Sequence, residues 1–287
     1  MTTARESGAP TVGTTHDVGS VAPGAWLVAL DIDGTLLSHD GFLSAEARGA
    51  VADVRGAGHE VVLATGRSLV GVLPVLVDLG ITTSWVVASN GAVTARVDPA
   101  IDGGYEIVDL VTFDPEPALR AVRAELPEAH IAVEKVGVGS LVTSPFPDGE
   151  LTGEQLVMDF EELCALPATR VVVRSPAHTS EHFTELAHRL ALTEVSYFVG
   201  WTAWLDIVPP GVTKASALER LRGVLGADPD RTLAVGDGSN DVAMLAWAAR
   251  GVAMGHAAAA VVAAADELTL PIADDGVVPV LRSLLEG

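Results

Sequence analysis

Cysteine occurs once in this 287-residue chain, at Cys164. That excludes an intrachain disulfide and any zinc or iron–sulfur site built from several cysteines. Lysine occurs twice, at Lys135 and Lys214, and Lys plus Arg reach 17 against 38 Asp plus Glu, a net charge of −21. An excess of that size repels phosphate backbones and anionic membrane surfaces, so neither nucleic acid nor membrane is an expected partner. Long apolar runs are also missing. The nearest, residues 251–265, falls short of the roughly 20 residues a membrane-spanning helix needs, is mostly alanine and contains His256. The first 24 residues lack the continuous apolar stretch of a secretory signal and are rich in Gly, Thr, Ser and Pro. They read as a flexible extension, and a soluble protein of the reducing cytoplasm is the expectation.

What is present suits packed cores, with 49% hydrophobic and 19% charged residues. The length allows about two domains. Short apolar runs (Trp26–Leu30, Val61–Ala64, Trp85–Ala88, Thr232–Val235 and Gly251–Met254) show no polar alternation, as expected of strands buried on both faces. Helical stretches separate them. One starts after Ser44, a good N-cap, and runs to Gly56; others span Arg67 to Gly80, Thr213 to Gly226, and Ser239 to Gly251. The pattern predicts an α/β fold with a Rossmann-like parallel sheet. Between about Thr94 and Pro210 the runs are shorter and more polar, with helical patterns near Pro115–Leu126 and Glu181–Leu192. That segment reads as an inserted α+β unit, which leaves residues 25–93 and 211–287 as the core.

The chemistry sits where the buried runs end. Leu30 is followed by Asp31-Ile32-Asp33-Gly34-Thr35, Ala64 by Thr65-Gly66-Arg67, Ala88 by Ser89-Asn90-Gly91, and Val235 by Gly236-Asp237-Gly238-Ser239-Asn240-Asp241. In an open parallel sheet these carboxyl ends share one edge, where ligands bind. Asp31, Asp33, Thr65 and Asp237 are therefore expected to converge. Crowded carboxylates repel unless compensated. A few oxygen ligands in a site that also admits a phosphate suit Mg²⁺. One carboxylate can then act as nucleophile and another as acid and base. Lys214 opens a predicted helix, where the local dipole disfavours a cation; a bound phosphate accounts for the placement.

Taken together, DIDGTL at 31–36, Thr65 in ATGR, Lys214 in PPGVTK and GDGSND at 236–241 resemble the four motifs of the haloacid dehalogenase superfamily. ASNGA at 88–92 and GVAMG at 251–255 narrow the resemblance to its Cof-type branch, subfamily IIB, from about Leu27 to the end of the chain. The resemblance implies a Mg²⁺-dependent phosphatase of sugar phosphates or related small metabolites. It assigns Asp31 as nucleophile and Asp33 as general acid/base. Magnesium would be held by the Asp31 carboxylate, the Asp33 backbone carbonyl and Asp237. Phosphoryl oxygens would be held by Thr65, Lys214, Asn240 and the Ile32 amide. Asp241 would orient Lys214 or a metal-bound water, and Gly34 would turn the backbone beside the metal. The inserted unit would be the cap that selects the leaving group. His256 stands where this branch usually carries Asn.

Weaker candidates have plain alternatives. Arg67 reads as a partner for a carboxylate near the sheet edge or for phosphate, and Asn90 as a pocket residue or a cap of its own turn. Glu134, Lys135 and Arg174 are candidates for contact with a substrate, with solvated surface charge the simpler reading. His178, His182 and His188 lack metal-ligand spacing and read as surface residues, and Trp201 and Trp204 as core of the insert. A sugar phosphomutase on the same scaffold and a non-catalytic sugar-phosphate binding protein are the alternative functions.

Overall fold

A computed structural model describes residues 19–38, 40–175, 185, 196–199 and 204–286. The expected extension up to residue 18, most of the helical pattern at 181–192, His178, His182, His188 and Trp201 lie outside these residues.

The chain opens with β1 (Leu27–Leu30), β2 (Glu60–Ala64), β3 (Ser84–Ala88), β4 (Val93–Val97) and β5 (Tyr105–Leu110). It then builds β6 (His130–Lys135), β7 (Gly139–Val142), β8 (Glu154–Val157), β9 (Val171–Arg174), β10 (Ser196–Val199) and β11 (Trp204–Val208), and returns for β12 (Thr232–Gly236), β13 (Arg250–Ala253) and β14 (Glu267–Leu268). The first and last groups form one eight-stranded sheet in the order β14-β13-β12-β1-β2-β3-β4-β5, and the middle group forms a six-stranded sheet in the order β10-β11-β9-β6-β7-β8. In the larger sheet β14 through β3 are parallel, and β4 and β5 are antiparallel.

The absence of alternation in the parallel strands has a direct structural cause. Val28 and Leu30 pack on one face with Val61 and Leu63, under the helices Ala45–Gly56, Leu69–Leu79 and Val277–Arg282. Leu27 and Ala29 pack on the other face with Val62 and Ala64, under the helix Lys214–Leu225. Successive side chains of a strand point to opposite faces, so a strand covered on both must be apolar throughout. Helix signals behave as their chemistry requires. The Ser44 hydroxyl accepts the Ala47 N–H at 2.9 Å, and Gly80 and Gly226 end their helices in the left-handed region.

Two strands that the sequence groups with the insert belong to the larger sheet. β4 and β5 form a hairpin folded back on β3. β5 is the outer edge of that sheet and is largely exposed. Its polar, short run therefore reflects an edge position rather than a change of domain.

The smaller sheet is covered on one face by the helices Glu116–Glu125 and Phe160–Cys164, which pack on Ile131, Val133, Val171, Val173, Leu205 and Ile207. By strand alternation, Ala132 and Glu134 of β6, Asp206 of β11 and Arg170, next to β9, share the opposite face. Trp204, on that face, packs against Phe146. No helix among the described residues is long and apolar enough to cross a membrane.

Candidate active site

Parallel strands deliver their carboxyl ends to one edge. Asp31 follows β1 and donates its N–H to the Val235 carbonyl of β12, so the two motif loops start side by side. Continuing the register of Leu30 opposite Leu63 sets Ile32 beside Thr65. The Ile32 carbonyl accepts the N–H groups of Leu36 and Leu37 at 2.9 and 2.8 Å. This tight turn brings Gly34, at φ +83°, against Asp237, where an added Cβ would lie 2.3 Å from Oδ2. Only glycine fits that approach and that conformation. Gly236 is crowded in the same way, its hypothetical Cβ 2.5 Å from the Asp241 carboxyl carbon.

Lys214 is fully buried, with its Nζ 2.6 Å from Asp31 Oδ1 and 2.6 Å from Asp241 Oδ1. Asp241 Oδ2 accepts the backbone N–H groups of Asp237 and Gly238 at 3.0 and 2.8 Å. Both Asp241 oxygens are thus engaged, one holding the lysine and the other folding the loop. Asp237 is also buried; its Oδ1 accepts the Thr35 hydroxyl at 3.4 Å and its Oδ2 has no hydrogen bond. Ligand atoms of Asp31, Asp237 and Asp241 lie within 4.8 Å of one another.

Three buried carboxylates share one ammonium, which leaves two negative charges in excess when all are ionised. Desolvation, joined by the charge of Asp241, raises the Asp31 pKa well above the ordinary carboxylate range, against the lowering effect of Lys214. The same causes raise Asp237 to about 7. Burial works to lower the Lys214 pKa, but Asp241 and Asp31 outweigh it and raise it, which holds the ammonium. The surplus negative charge, the oxygen-only donor set and the orphaned Asp237 Oδ2 fit a hard divalent cation.

A consequence for stability follows from the raised acids. Folded Asp237 keeps a proton that the unfolded carboxylate has released by about pH 4. Its contribution is present at low pH and is lost as the pH rises through about 7. The metal-free protein is expected to melt at a lower temperature at about pH 8 than at about pH 5, and a divalent cation to raise the midpoint more at the higher pH. Calorimetry with chelator or cation checks this, and a metal-free midpoint that climbs over the same interval contradicts it.

Asp33 stands apart from this buried group. Its exposed carboxylate is gripped by Arg67 in a two-pronged pair, Nε to Oδ2 at 2.8 Å and Nη2 to Oδ1 at 2.5 Å. Thr65 is buried and its Oγ1 accepts the Arg67 N–H at 3.1 Å. Asn240 donates through Nδ2 to Asn90 Oδ1 at 2.8 Å. Asn90 is buried at φ +54° and donates in turn to Asp206 Oδ2 at 3.3 Å. The asparagine therefore lines the site, linking the edge of the larger sheet to the smaller one.

Further links cross the same seam. Ser89 donates to Glu134 Oε2 at 2.5 Å, Thr169 to the same oxygen at 3.1 Å, and Arg170 Nη1 to the Gly66 carbonyl at 2.6 Å. Glu134 is buried and Lys135 exposed, while Arg174 pairs with Glu150. Surface charge thus fails as a description of Glu134. Ser89 lies on the sheet edge where its strand end is expected, but the sequence gives no sign of Arg170 and Asp206 as neighbours of the site. They come together only through contacts between distant segments, so no local spacing announces them.

The profile of the haloacid dehalogenase-like hydrolase family matches residues 28–104 and 153–281. The chain belongs to this hydrolase family. It is 28% identical over 297 residues to the Bacillus subtilis phosphatase YwpJ, covering 90% of this chain and 99% of that protein. Over 262 residues it is 28% identical to the 5-amino-6-(5-phospho-D-ribitylamino)uracil phosphatase YcsE of Bacillus subtilis, covering 89% and 94%. The solved structure of BT4131, a subclass IIB sugar phosphatase, superposes with a TM-score of 0.75 at 24% identity, over 90% of this chain and 98% of that one. The fold is that of subclass IIB, as the sequence motifs lead one to expect.

Proposed function

We propose that the protein is a Mg²⁺-dependent phosphomonoesterase that hydrolyses a small phosphorylated metabolite through an aspartyl phosphate on Asp31. The observation that carries this reading is the buried Asp31 carboxylate held at 2.6 Å by Lys214, in the same cluster as Asp237. Asp31 attacks phosphorus and the bond to the leaving oxygen breaks. Asp33, protonated, gives its proton to that oxygen, then takes one from the water that attacks the aspartyl phosphate and returns Asp31. Asp33 must release Arg67 to do so, because both of its oxygens accept from the guanidinium fork and neither is free to meet the leaving group. Lys214, Thr65, Asn240 and the Ile32 amide hold the phosphoryl oxygens. The Asp31 carboxylate, the Asp33 carbonyl and Asp237 hold Mg²⁺, which when bound neutralises charge on the phosphoryl group.

The smaller-sheet unit serves as the cap, beginning after β5 rather than at residue 94. Glu134, Arg170 and Asp206 on its site-facing side offer both acceptors and donors, which suits a polyhydroxylated leaving group. Two similar proteins bear names consistent with that class, a sugar phosphatase and a phosphatase of a ribityl phosphate. A cytoplasmic setting belongs to the same proposal.

The test is phosphate release from p-nitrophenyl phosphate and from a panel of sugar phosphates, with Mg²⁺ or with excess chelator. Release that requires Mg²⁺ is the expected result. Release that persists in chelator overturns the reading, and interconversion of a hexose 1-phosphate with its 6-phosphate without free phosphate assigns a mutase instead.

A further inference from the structure

His256 occupies the loop after β13. Its Nε2 stands 3.3 Å from Asp237 Oδ2. The ring is fixed from behind, where the Ile272 backbone N–H donates to Nδ1 at 3.2 Å. A ring nitrogen that accepts a hydrogen bond carries no proton, so the neutral ring bears its proton on Nε2. The nitrogen facing Asp237 is therefore an N–H donor. The same assignment removes its lone pair from use, and a histidine nitrogen must be bare to bind a metal.

Asp237 needs such a donor. Its other oxygen is touched by the Thr35 hydroxyl at the long distance of 3.4 Å, and Oδ2 is buried without a hydrogen bond. The carboxylate is thus loosely held for a group asked to present an oxygen to a cation. A carboxylate oxygen has two lone-pair directions, so a donor on one leaves the other for the ion. We propose that His256 is a positioning residue for Asp237. A small turn of the carboxylate brings Oδ2, 3.3 Å away and just outside hydrogen-bond geometry, onto the Nε2–H, which then fixes its rotation for the divalent cation, while His256 takes no place among the cation's ligands. This rests on the metal-assisted reading above and adds to it a residue outside the motifs.

Partners of metal ligands typically contribute about 10–100-fold to metal affinity. Titration calorimetry of Mg²⁺ into the wild-type protein and into His256→Ala, His256→Phe and His256→Gln provides the test, since it reads binding without turnover. His256→Phe keeps the ring volume and removes the donor, and serves if the alanine variant fails to fold. The Mg²⁺ Kd is expected to rise about tenfold or more in the alanine and phenylalanine variants and to recover in the glutamine variant, which keeps an N–H. The absorption spectrum of the Co²⁺-loaded protein is expected to be the same in wild type and His256→Phe. An unchanged Kd in the variants overturns the proposal, as does a Co²⁺ spectrum that reports the loss of a nitrogen ligand. A wild-type protein that binds no Mg²⁺ would instead overturn the metal-assisted reading, so the two failures are distinguishable.

Discussion

Asp31→Asn is expected to lower turnover by at least about 10³-fold while leaving the melting temperature of the metal-free protein unchanged or higher. The amide has the shape of the carboxylate and its oxygen can still accept from Lys214, so the 2.6 Å contact has a successor. It is no nucleophile towards phosphorus. On stability, the substitution removes one of three buried negative charges that share a single ammonium, in a group whose pKa is already raised by desolvation and by Asp241. Relief of that repulsion offsets the weakened pair. Steady-state kinetics and thermal unfolding of the same preparation check both halves, and turnover within tenfold of wild type rules out Asp31 as the attacking group.

Lys214→Met is expected to have the largest effect on stability, about 3–5 kcal/mol at neutral pH, because it leaves Asp31 and Asp241 buried without their cation. That corresponds to a fall in melting temperature on the order of 10 °C. Methionine fills the volume of the lysine stem, so the loss is electrostatic rather than a cavity. Part of it should return as the pH is lowered, since Asp31, whose pKa burial raises, takes up a proton and ceases to repel its neighbours. A deficit that is the same at about pH 5 and about pH 8 would show that packing, and not charge, is what Lys214 supplies.

Much of this was legible in the sequence because the information is local. Runs such as Leu27–Leu30 and Glu60–Ala64 show their burial on two faces by the absence of alternation. Ser44, Gly80 and Gly226 mark helix ends through interactions with their own neighbours. The topology of a parallel sheet then gathers its carboxyl ends, so Asp31 and Asp237 could be expected together without coordinates. The hairpin β4–β5 was hidden because an edge strand in solvent has the composition of a loop or an insert. The seam was hidden for a different reason. Glu134, Arg170 and Asp206 alternate along ordinary strands, and only the docking of two sheets decides whether that face meets water or Ser89, Gly66 and Asn90. His256 belongs with them, since its part depends on which ring nitrogen Ile272 engages.

The claim on which the account turns is that phosphate passes through Asp31. Acid quenching during turnover, followed by borohydride reduction, converts an aspartyl phosphate to homoserine, and peptide mass spectrometry locates it. Homoserine is expected at position 31, dependent on both substrate and Mg²⁺. Conversion at another carboxylate, or none at any while turnover continues, would contradict it.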